Sequence, residues 1–233
     1  MSATNTYRIH EIFYSLQGEG FHTGRPAVFV RFAGCNLRCP FCDTDFSTRQ
    51  TMTCEDIVRQ ALSLVPSSLP DGRFLLVLTG GEPALQVDDT LIDALHKAGF
   101  YIAIETNGTR TLPAAIDWIT CSPKDAPVVL TQADELKVVF RGQDVERLYQ
   151  AVKAQHYFLQ PCDLTFETST QQSDTPPTQS DMPDAQSVMP DAQSETLTPQ
   201  SPKTSTLRET IAYILAHPHW RLSLQMHKLT GIR

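Results

Sequence analysis

Residues 34–44 read Gly34-Cys35-Asn36-Leu37-Arg38-Cys39-Pro40-Phe41-Cys42-Asp43-Thr44, with three cysteines in the spacing C-x3-C-x2-C. A structural zinc site closes its coordination shell with four ligands, so three thiolates leave such a site incomplete. Three thiolates on one short loop can instead hold three irons of a 4Fe–4S cube. The fourth iron then stays open to chelate a small molecule through an amine and a carboxylate. A zinc knuckle that lacks one ligand, or three unrelated buried cysteines, are the alternatives.

The composition indicates a globular protein of a reducing compartment. The chain has 233 residues, which suits one large core. It contains no apolar run of about 18 residues, and its N-terminus is polar, so we expect a cytoplasmic protein without a membrane partner. The other cysteines (Cys54, Cys121 and Cys162) are scattered, unlike a disulfide framework. The net charge of -7 argues against nucleic-acid binding, which normally requires a basic face.

Hydrophobic periodicity predicts alternating strands and helices over most of the chain. The predicted strands are 7–14, 26–33, 74–79, 100–108, 117–121, 135–140, 157–160 and 220–225. The predicted helices are 54–65 (with Thr53 as N-cap), 88–98, 112–116, 144–154 and 207–217. The polar motifs fall where strands end. This pattern predicts an α/β fold with a parallel barrel, complete or partial, and a site at the carboxyl ends of its strands.

Residues 165–205 differ in composition from the rest. Ser, Thr, Gln, Pro and Asp dominate, and Met-Pro-Asp-Ala-Gln-Ser occurs twice, at Met182 and Met189. Such a segment buries too little apolar surface to offset the entropy of ordering it. We therefore expect a single domain over residues 1–233 that contains a low-complexity, disordered insertion at 165–205.

Two motifs lie before the cysteine loop. In Leu16-Gln17-Gly18-Glu19-Gly20, the glycines permit close approach of a ligand, and the polar side chains can hydrogen-bond a planar heterocycle. A hairpin turn with exposed polar residues is the alternative. Arg31 lies in an otherwise apolar strand. It either grips a substrate carboxylate or extends its guanidinium to solvent at a sheet edge.

Further motifs lie at and after the cysteine loop. Asp43 and Thr44 offer hard oxygen ligands that suit Mg²⁺, and an ordinary turn that leaves the loop is the alternative, which the residues alone favour. Gly80-Gly81-Glu82-Pro83 follows a buried strand, where the glycines expose backbone to a ligand. Other strands end in Ser122-Pro123-Lys124 and Gln160-Pro161. The terminal stretch 226–233 carries His227, which is either surface decoration or part of the site.

The cysteine spacing together with Gly80-Gly81-Glu82-Pro83 resembles the radical S-adenosylmethionine (radical SAM) enzymes. The full set of motifs resembles the family of 7-carboxy-7-deazaguanine synthases. The resemblance implies a shortened, modified (β/α) partial barrel that forms a homodimer. It implies a lyase that converts 6-carboxy-5,6,7,8-tetrahydropterin to 7-carboxy-7-deazaguanine with loss of ammonia. It also implies one 4Fe–4S cluster per subunit, S-adenosylmethionine, Mg²⁺ and an electron donor such as flavodoxin or ferredoxin.

The resemblance also implies roles for individual residues, with no catalytic side chain beyond the cluster and the cofactor radical. The cluster ligands are Cys35, Cys39 and Cys42, and Thr44 binds Mg²⁺. The cofactor contacts are Phe41, Cys42, Asp43, Gly81, Glu82, Ser122, Pro123, Lys124, Gln160, Pro161, Cys162 and Asp163. The substrate contacts are Leu16, Gln17, Gly18, Glu19, Arg31, Thr79, His227 and Arg233.

Two other functions fit part of these features. A glycyl-radical enzyme activase shares the three cysteines and a small size, but it gives no reason for the motif at residues 16–20 or for Arg31. A non-catalytic iron–sulfur or zinc regulatory module has no use for Gly80-Gly81-Glu82-Pro83.

Overall fold

The computed structural model describes residues 5–44, 49–66, 73–162 and 202–232, with the side chains of 202–205 excepted. Asp163 and Arg233, both predicted site residues, lie outside these ranges. The predicted insertion at 165–205 also lies outside them, apart from its last four residues.

The described residues form nine strands and five α-helices. The strands are β1 (Thr6–Leu16), β2 (Pro26–Phe32), β3 (Gln50–Thr53), β4 (Phe74–Gly80), β5 (Phe100–Thr106), β6 (Trp118–Cys121), β7 (Glu135–Phe140), β8 (His156–Pro161) and β9 (Arg221–Leu222). The helices are α1 (Cys54–Leu64), α2 (Asp89–Lys97), α3 (Glu146–Ala151), α4 (Pro202–Ala216) and α5 (Met226–Thr230), and Pro83–Leu85 forms a 3-10 turn. No helix in this part of the chain is both long and apolar enough to cross a membrane.

All nine strands belong to one sheet in the order β3-β1-β2-β4-β5-β6-β7-β8-β9. In this order, every neighbouring pair from β2 onward, starting with β2 and β4, is parallel. Strand β1 is antiparallel to both of its neighbours, β2 and β3. The predicted parallel α/β sheet is therefore confirmed, with an antiparallel edge that the sequence did not indicate. The antiparallel strand β3 was not predicted.

The sheet curves into a partial barrel. With strands about 4.8 Å apart, a flat sheet would keep β1 and β7 roughly 24 Å from each other. Yet Phe21, in the loop that follows β1, donates its backbone N–H to Glu135 Oε2 at the start of β7, at 2.9 Å. The loop between β1 and β2 therefore reaches across the concave face, which brings side chains from distant strands together.

The two faces of β2 show how the sequence builds the core. Val28, Val30 and Phe32 point outward and are fully buried against α1 and α2, where the largest apolar cluster lies. The alternate residues Phe29 and Arg31 point into the barrel and line its cavity. Alternation with period two therefore assigns one face of the strand to the core and the other to the site.

Capping side chains and a glycine mark the ends of the first two helices. Thr53 caps α1 in a reciprocal capping box with Asp56, as its position predicted. Asp88 caps α2 by accepting a hydrogen bond from the Leu91 backbone N–H. Gly99 follows α2 with φ +90, a conformation that favours glycine.

Four predicted elements differ in the structure. The short helix predicted at 112–116 is wrong, because this segment contains one turn and otherwise irregular backbone. Its apolar spacing reflects packing of Leu112 and Ile116 against the core, and five residues form too few helical hydrogen bonds to sustain a helix. Helix α3 and strand β9 are shorter than predicted, and α4 begins at Pro202 rather than 207, inside the predicted insertion.

Candidate active site

A cavity of about 1000 Å³ lies inside the partial barrel. Most residues predicted for the site line it, although they come from both ends of the chain. They are Leu16, Gln17, Gly18, Glu19, Arg31, Cys35, Cys39, Phe41, Cys42, Asp43, Thr44, Thr79, Gly81, Ser122, Lys124, Gln160, Pro161, Cys162 and His227. Glu82 and Pro123 are not among the lining residues.

The glycine turn after β4 packs directly against the cysteine loop. A Cβ atom added to Gly81 would lie 2.2 Å from the Gly34 carbonyl oxygen and 3.0 Å from Cys35 Cβ. The Glu82 backbone N–H donates to the same Gly34 oxygen at 2.9 Å. Only glycine permits this approach, so the turn and the loop form one wall of the cavity.

The three loop cysteines are accessible to different degrees. Cys35 and Cys39 are half-buried, and Cys42 is exposed. Burial raises the pKa of the Cys35 and Cys39 thiols. The Leu37 backbone N–H points at Cys35 Sγ at 3.4 Å, which is a suitable donor for a thiolate.

The arrangement of these donors fits a cluster better than a single ion. Within the described ranges, no three His, Cys, Asp or Glu side chains converge closely enough to hold one metal ion. A 4Fe–4S cube binds each thiolate at a different iron, so its ligands surround a volume rather than one point. Three thiols on one loop, facing a cavity, supply the soft ligands that such a cube requires.

Glu82 does not line the cavity, but its hydrogen bonds hold the cavity wall in place. Its side chain is buried, and its carboxylate accepts from Thr106 Oγ1 (2.7 Å), from the Asn107 backbone N–H (2.7 Å) and from the Ala84 backbone N–H (3.0 Å). Burial raises the pKa of this carboxyl group. Asn107 Nδ2 in turn donates to Asn36 Oδ1 at 3.0 Å. Glu82 thus joins the end of β4 to the end of β5 and, through Asn107, to the cysteine loop.

A buried lysine joins two carboxylates of the cavity. Lys137 Nζ lies 2.9 Å from both Glu19 Oε2 and Glu105 Oε2. Burial alone would raise the pKa of Glu19, but the Lys137 charge and the hydrogen bonds bring it down to about 2. Burial keeps the pKa of Glu105 raised despite Lys137, and the Glu19 charge adds to this effect. Burial opposes the charge on Lys137, yet the neighbouring carboxylates raise its pKa overall.

The sequence did not indicate Lys137, and Glu105 is not among the predicted site residues, although the resemblance implies that the element Glu105-Thr106-Asn107-Gly108 lines the nucleoside side of the site. The available signal was the spacing of Glu135 and Lys137, two residues apart in an otherwise apolar strand of a parallel sheet. Charged residues two apart in a strand point to the same face, which here is the inside of the barrel. Their partners come from other parts of the chain, so the pattern did not reveal the cluster itself.

Arg31 has a partner that the sequence did not predict. Its Nε lies 2.9 Å from Glu11 Oε1, and both side chains line the cavity. The guanidinium also lies 5.8 Å from the centre of the Phe13 ring. Arg31 therefore faces the inside of the barrel rather than solvent at a sheet edge.

The C-terminal stretch returns to the cavity, where His227 is one of the lining residues. The Met226 backbone N–H donates to the Gly18 carbonyl oxygen at 3.1 Å. Gln225 Nε2 donates to Glu19 Oε1 (3.1 Å) and to Asp43 Oδ2 (3.3 Å), and Lys228 Nζ lies 2.5 Å from Asp43 Oδ2. This segment thus connects the loop after β1 with the end of the cysteine loop.

Polar groups also meet at the ends of β6 and β8. Lys124 Nζ donates to Ser122 Oγ at 2.7 Å and to the Ser122 carbonyl oxygen at 3.1 Å. Burial lowers the pKa of Lys124, and the charge of Lys137 lowers it further. Ser223 Oγ donates to Gln160 Oε1 at 3.0 Å, which orients the Gln160 amide at the cavity wall.

A substitution at Gly20 tests whether the loop after β1 is held in place by its contact with Glu135. Its φ is +66, and an added Cβ would lie 2.0 Å from Glu135 Oε1. We expect Gly20→Ala to lower the free energy of unfolding by about 2–5 kcal/mol, the sum of backbone strain and overpacking. Gly24→Ala is the matched control, because Gly24 has φ +83 but nothing within 4 Å of an added Cβ. Denaturant titrations measure both, and equal losses would show that Glu135 does not fix this loop.

The curved parallel sheet with a three-cysteine loop at its carboxyl ends defines the class of protein. The family model described as the Radical SAM superfamily matches residues 29–155 of the chain. The crystal structure of QueE from Escherichia coli superposes with a TM-score of 0.65 and 26% sequence identity, and the match covers 95% of each chain.

Similar proteins of known sequence identify the family within this superfamily. The 7-carboxy-7-deazaguanine synthase of Bacteroides thetaiotaomicron is 44% identical over 227 residues, covering 97% of this chain and 98% of that protein. The enzyme of the same name from Caulobacter vibrioides is 40% identical over 246 residues, covering 97% of this chain and 99% of that protein. The chain belongs to the 7-carboxy-7-deazaguanine synthase family of the radical SAM superfamily.

Proposed function

We propose that this chain converts 6-carboxy-5,6,7,8-tetrahydropterin to 7-carboxy-7-deazaguanine with loss of ammonia. The observation that carries the proposal is the cavity that gathers the family's motifs, in a chain 44% identical to a protein named as that synthase. It uses a 4Fe–4S cluster, S-adenosylmethionine and Mg²⁺. When bound, the cluster and S-adenosylmethionine supply the radical chemistry that removes a hydrogen atom from the substrate.

The cluster and cofactor would be held at the wall where the cysteine loop meets the glycine turn. Cys35, Cys39 and Cys42 are the proposed cluster ligands, and Gly81 offers backbone to the methionine moiety. Ser122, Lys124 and Gln160 offer polar groups from neighbouring strand ends. Further proposed contacts are Phe41, Asp43, Pro123, Pro161, Cys162 and Asp163. Glu82 would act by fixing the turn, since protein donors occupy its carboxylate.

The substrate would lie deeper in the cavity than the cofactor, between Arg31 and the buried group formed by Lys137 and its two carboxylate partners. Glu19 is held ionised by Lys137 and oriented by Gln225, so it suits the N–H groups of the pterin's amino-pyrimidinone edge. Arg31 suits the substrate carboxylate, and Thr44 would hold Mg²⁺. The stacked rings of Phe13 and Phe29, 5.0 Å apart, form an apolar floor that limits water. The other proposed contacts are Leu16, Gln17, Gly18, Thr79, His227 and Arg233.

The proposal extends to the setting in which the enzyme works. A reactive low-potential cluster favours a reducing compartment, so we place the chain in the cytoplasm, consistent with its free thiols. We further propose a homodimer, as the family resemblance implies, a single domain and a small electron-donor protein such as flavodoxin or ferredoxin.

Anaerobic turnover tests the function. The reconstituted protein is incubated with dithionite, S-adenosylmethionine, Mg²⁺ and the tetrahydropterin, and products are identified by mass spectrometry. We expect 7-carboxy-7-deazaguanine and ammonia, both dependent on the pterin. Cleavage of S-adenosylmethionine without any deazapurine would instead favour the glycyl-radical activase. Failure to take up iron would favour a regulatory module.

A further inference from the structure

Two residues of the C-terminal stretch, Gln225 and Lys228, line the cavity but are not among the predicted site residues. The loop after β1 fixes the backbone around them. The Gly20 backbone N–H donates to Ser223 Oγ at 3.0 Å, in addition to the hydrogen bond that the Met226 backbone N–H makes to this loop. Both side chains are therefore presented to the cavity from a backbone that is held in place.

The Gln225 amide joins two carboxylates that belong to different walls of the cavity. Its Nε2 donates to Glu19 Oε1 at 3.1 Å and to Asp43 Oδ2 at 3.3 Å. An amide nitrogen carries two hydrogens, so it can serve both carboxylates at once. The reversed amide would set its oxygen against the same carboxylates, so the network fixes its orientation. Gln225 thus bridges Glu19, a proposed substrate contact, and Asp43, a proposed cofactor contact.

The cysteine loop is anchored differently in its two halves. The first half is tied to the barrel through Asn36, whose side chain hydrogen-bonds the turn after β5. The second half is tied to the C-terminal stretch through Asp43, which meets Lys228 Nζ at 2.5 Å as well as the Gln225 amide. The C-terminal stretch therefore helps to set the position of the loop end that carries Cys42.

We propose that Gln225 is a positioning residue that couples substrate binding to cofactor binding, while Lys228 keeps Asp43 within its reach. This inference rests on the proposed function, because it requires both ligands in one cavity. A pterin bound to Glu19 fixes the Gln225 amide, and the amide then holds Asp43 and the loop end in their binding positions. The first ligand bears the cost of ordering this bridge, so the second ligand binds more tightly. By linkage, each ligand raises the affinity for the other by the same factor, which we call the coupling factor.

Binding measured without turnover tests the coupling. The reconstituted protein is kept anaerobic and free of reductant, and calorimetry gives the Kd of the pterin with and without saturating S-adenosylmethionine. In the native protein we expect a coupling factor of at least about five, and the reverse titration should give the same value. Gln225→Met keeps an unbranched side chain but removes both donors, so its coupling factor should fall below about two.

A matched control and a second variant accompany this measurement. Gln155 Nε2 also donates to a carboxylate, Asp134 Oδ1 at 3.3 Å, but Gln155 does not line the cavity. Gln155→Met should therefore keep the native coupling factor. Lys228→Met releases Asp43 from its ion pair and leaves the amide bridge, so it should lower the factor less than Gln225→Met does. Lys228→Met decides the test if Gln225→Met fails to take up iron.

The coupling factor distinguishes positioning from a merely structural role. A structural role would weaken both ligands equally and leave the native factor in Gln225→Met and Lys228→Met, which would overturn the inference. An identical pterin Kd with and without S-adenosylmethionine in the native protein would also overturn it. Absence of deazapurine in dithionite-driven turnover of the native protein would instead overturn the proposed function, so the two failures are distinguishable.

Discussion

Lys137→Met should cost the protein about 3–5 kcal/mol of stability and reduce kcat/KM for the pterin by at least 100-fold. Lys137 is buried and lies 2.9 Å from both Glu19 and Glu105. Removing one member of a buried ion pair leaves uncompensated charge, which typically costs this amount. One carboxylate would then take up a proton, and the carboxylate pair would no longer present its native charge to the substrate.

The loss of stability should depend on pH in a defined direction. In the native protein the Glu19 pKa is about 2, below its unfolded value, so Glu19 stabilises the fold above the unfolded pKa and this contribution is lost as pH falls toward 2. Without Lys137 the pKa of the buried carboxyl groups rises above the unfolded value. Their contribution is then lost as pH rises through the new folded pKa. The stability difference between native protein and variant should therefore widen from pH 4 to pH 8 in denaturant titrations.

Three further variants separate charge from structure. Lys153→Met removes an exposed lysine and should change neither stability nor turnover. Lys137→Arg keeps the charge and should recover part of the stability. Glu19→Gln combined with Lys137→Met removes one charge of each sign and leaves Glu105, so it should regain part of the stability without regaining substrate binding. If Lys137→Met unfolds within 0.5 kcal/mol of the native protein and shows the same pH profile, the lysine does not organise these carboxylates.

Local signals predicted much of this architecture. The buried run 74–79 predicts a strand, and the glycines that follow it predict a tight turn. Both features could be predicted because each is set by residues adjacent in the sequence. The same holds for the Thr53 cap, whose partner Asp56 is three residues away. Motifs at the ends of parallel strands must meet at one edge of the sheet, so the position of the cavity followed from the strand assignments.

Features that depend on distant residues were not accessible from the sequence. Strand β3 exists because Thr53 pairs with Thr6, far away in the chain. Lys137 meets Glu19 only because the sheet curves, and its own strand carries no sign of that partner. Glu82 appeared to face a ligand, yet Thr106 and Asn107 on the next strand end bind its carboxylate. In each case the role of a side chain is set by tertiary packing.

Cys39→Ser should abolish cluster binding and turnover together, leaving product at background. Serine offers a hard oxygen in place of a soft thiolate, and two thiolates cannot retain the cube. Cys54→Ser is the matched control. Burial raises the pKa of both thiols, so they differ in position rather than in acidity. Cys39 lines the cavity, whereas Cys54 begins α1 with its Sγ 3.9 Å from the Thr90 carbonyl oxygen.

Iron analysis and visible absorption after anaerobic reconstitution measure the cluster, and mass spectrometry measures the product. Cys54→Ser should keep native iron content and turnover, with a stability loss of about 1–3 kcal/mol for placing a hydroxyl in an apolar site. Turnover that persists in Cys39→Ser would remove this residue from the ligand set. A native protein that binds one tetrahedral zinc and no iron would exclude the open iron on which the chemistry depends, because a closed zinc shell has no position for the cofactor.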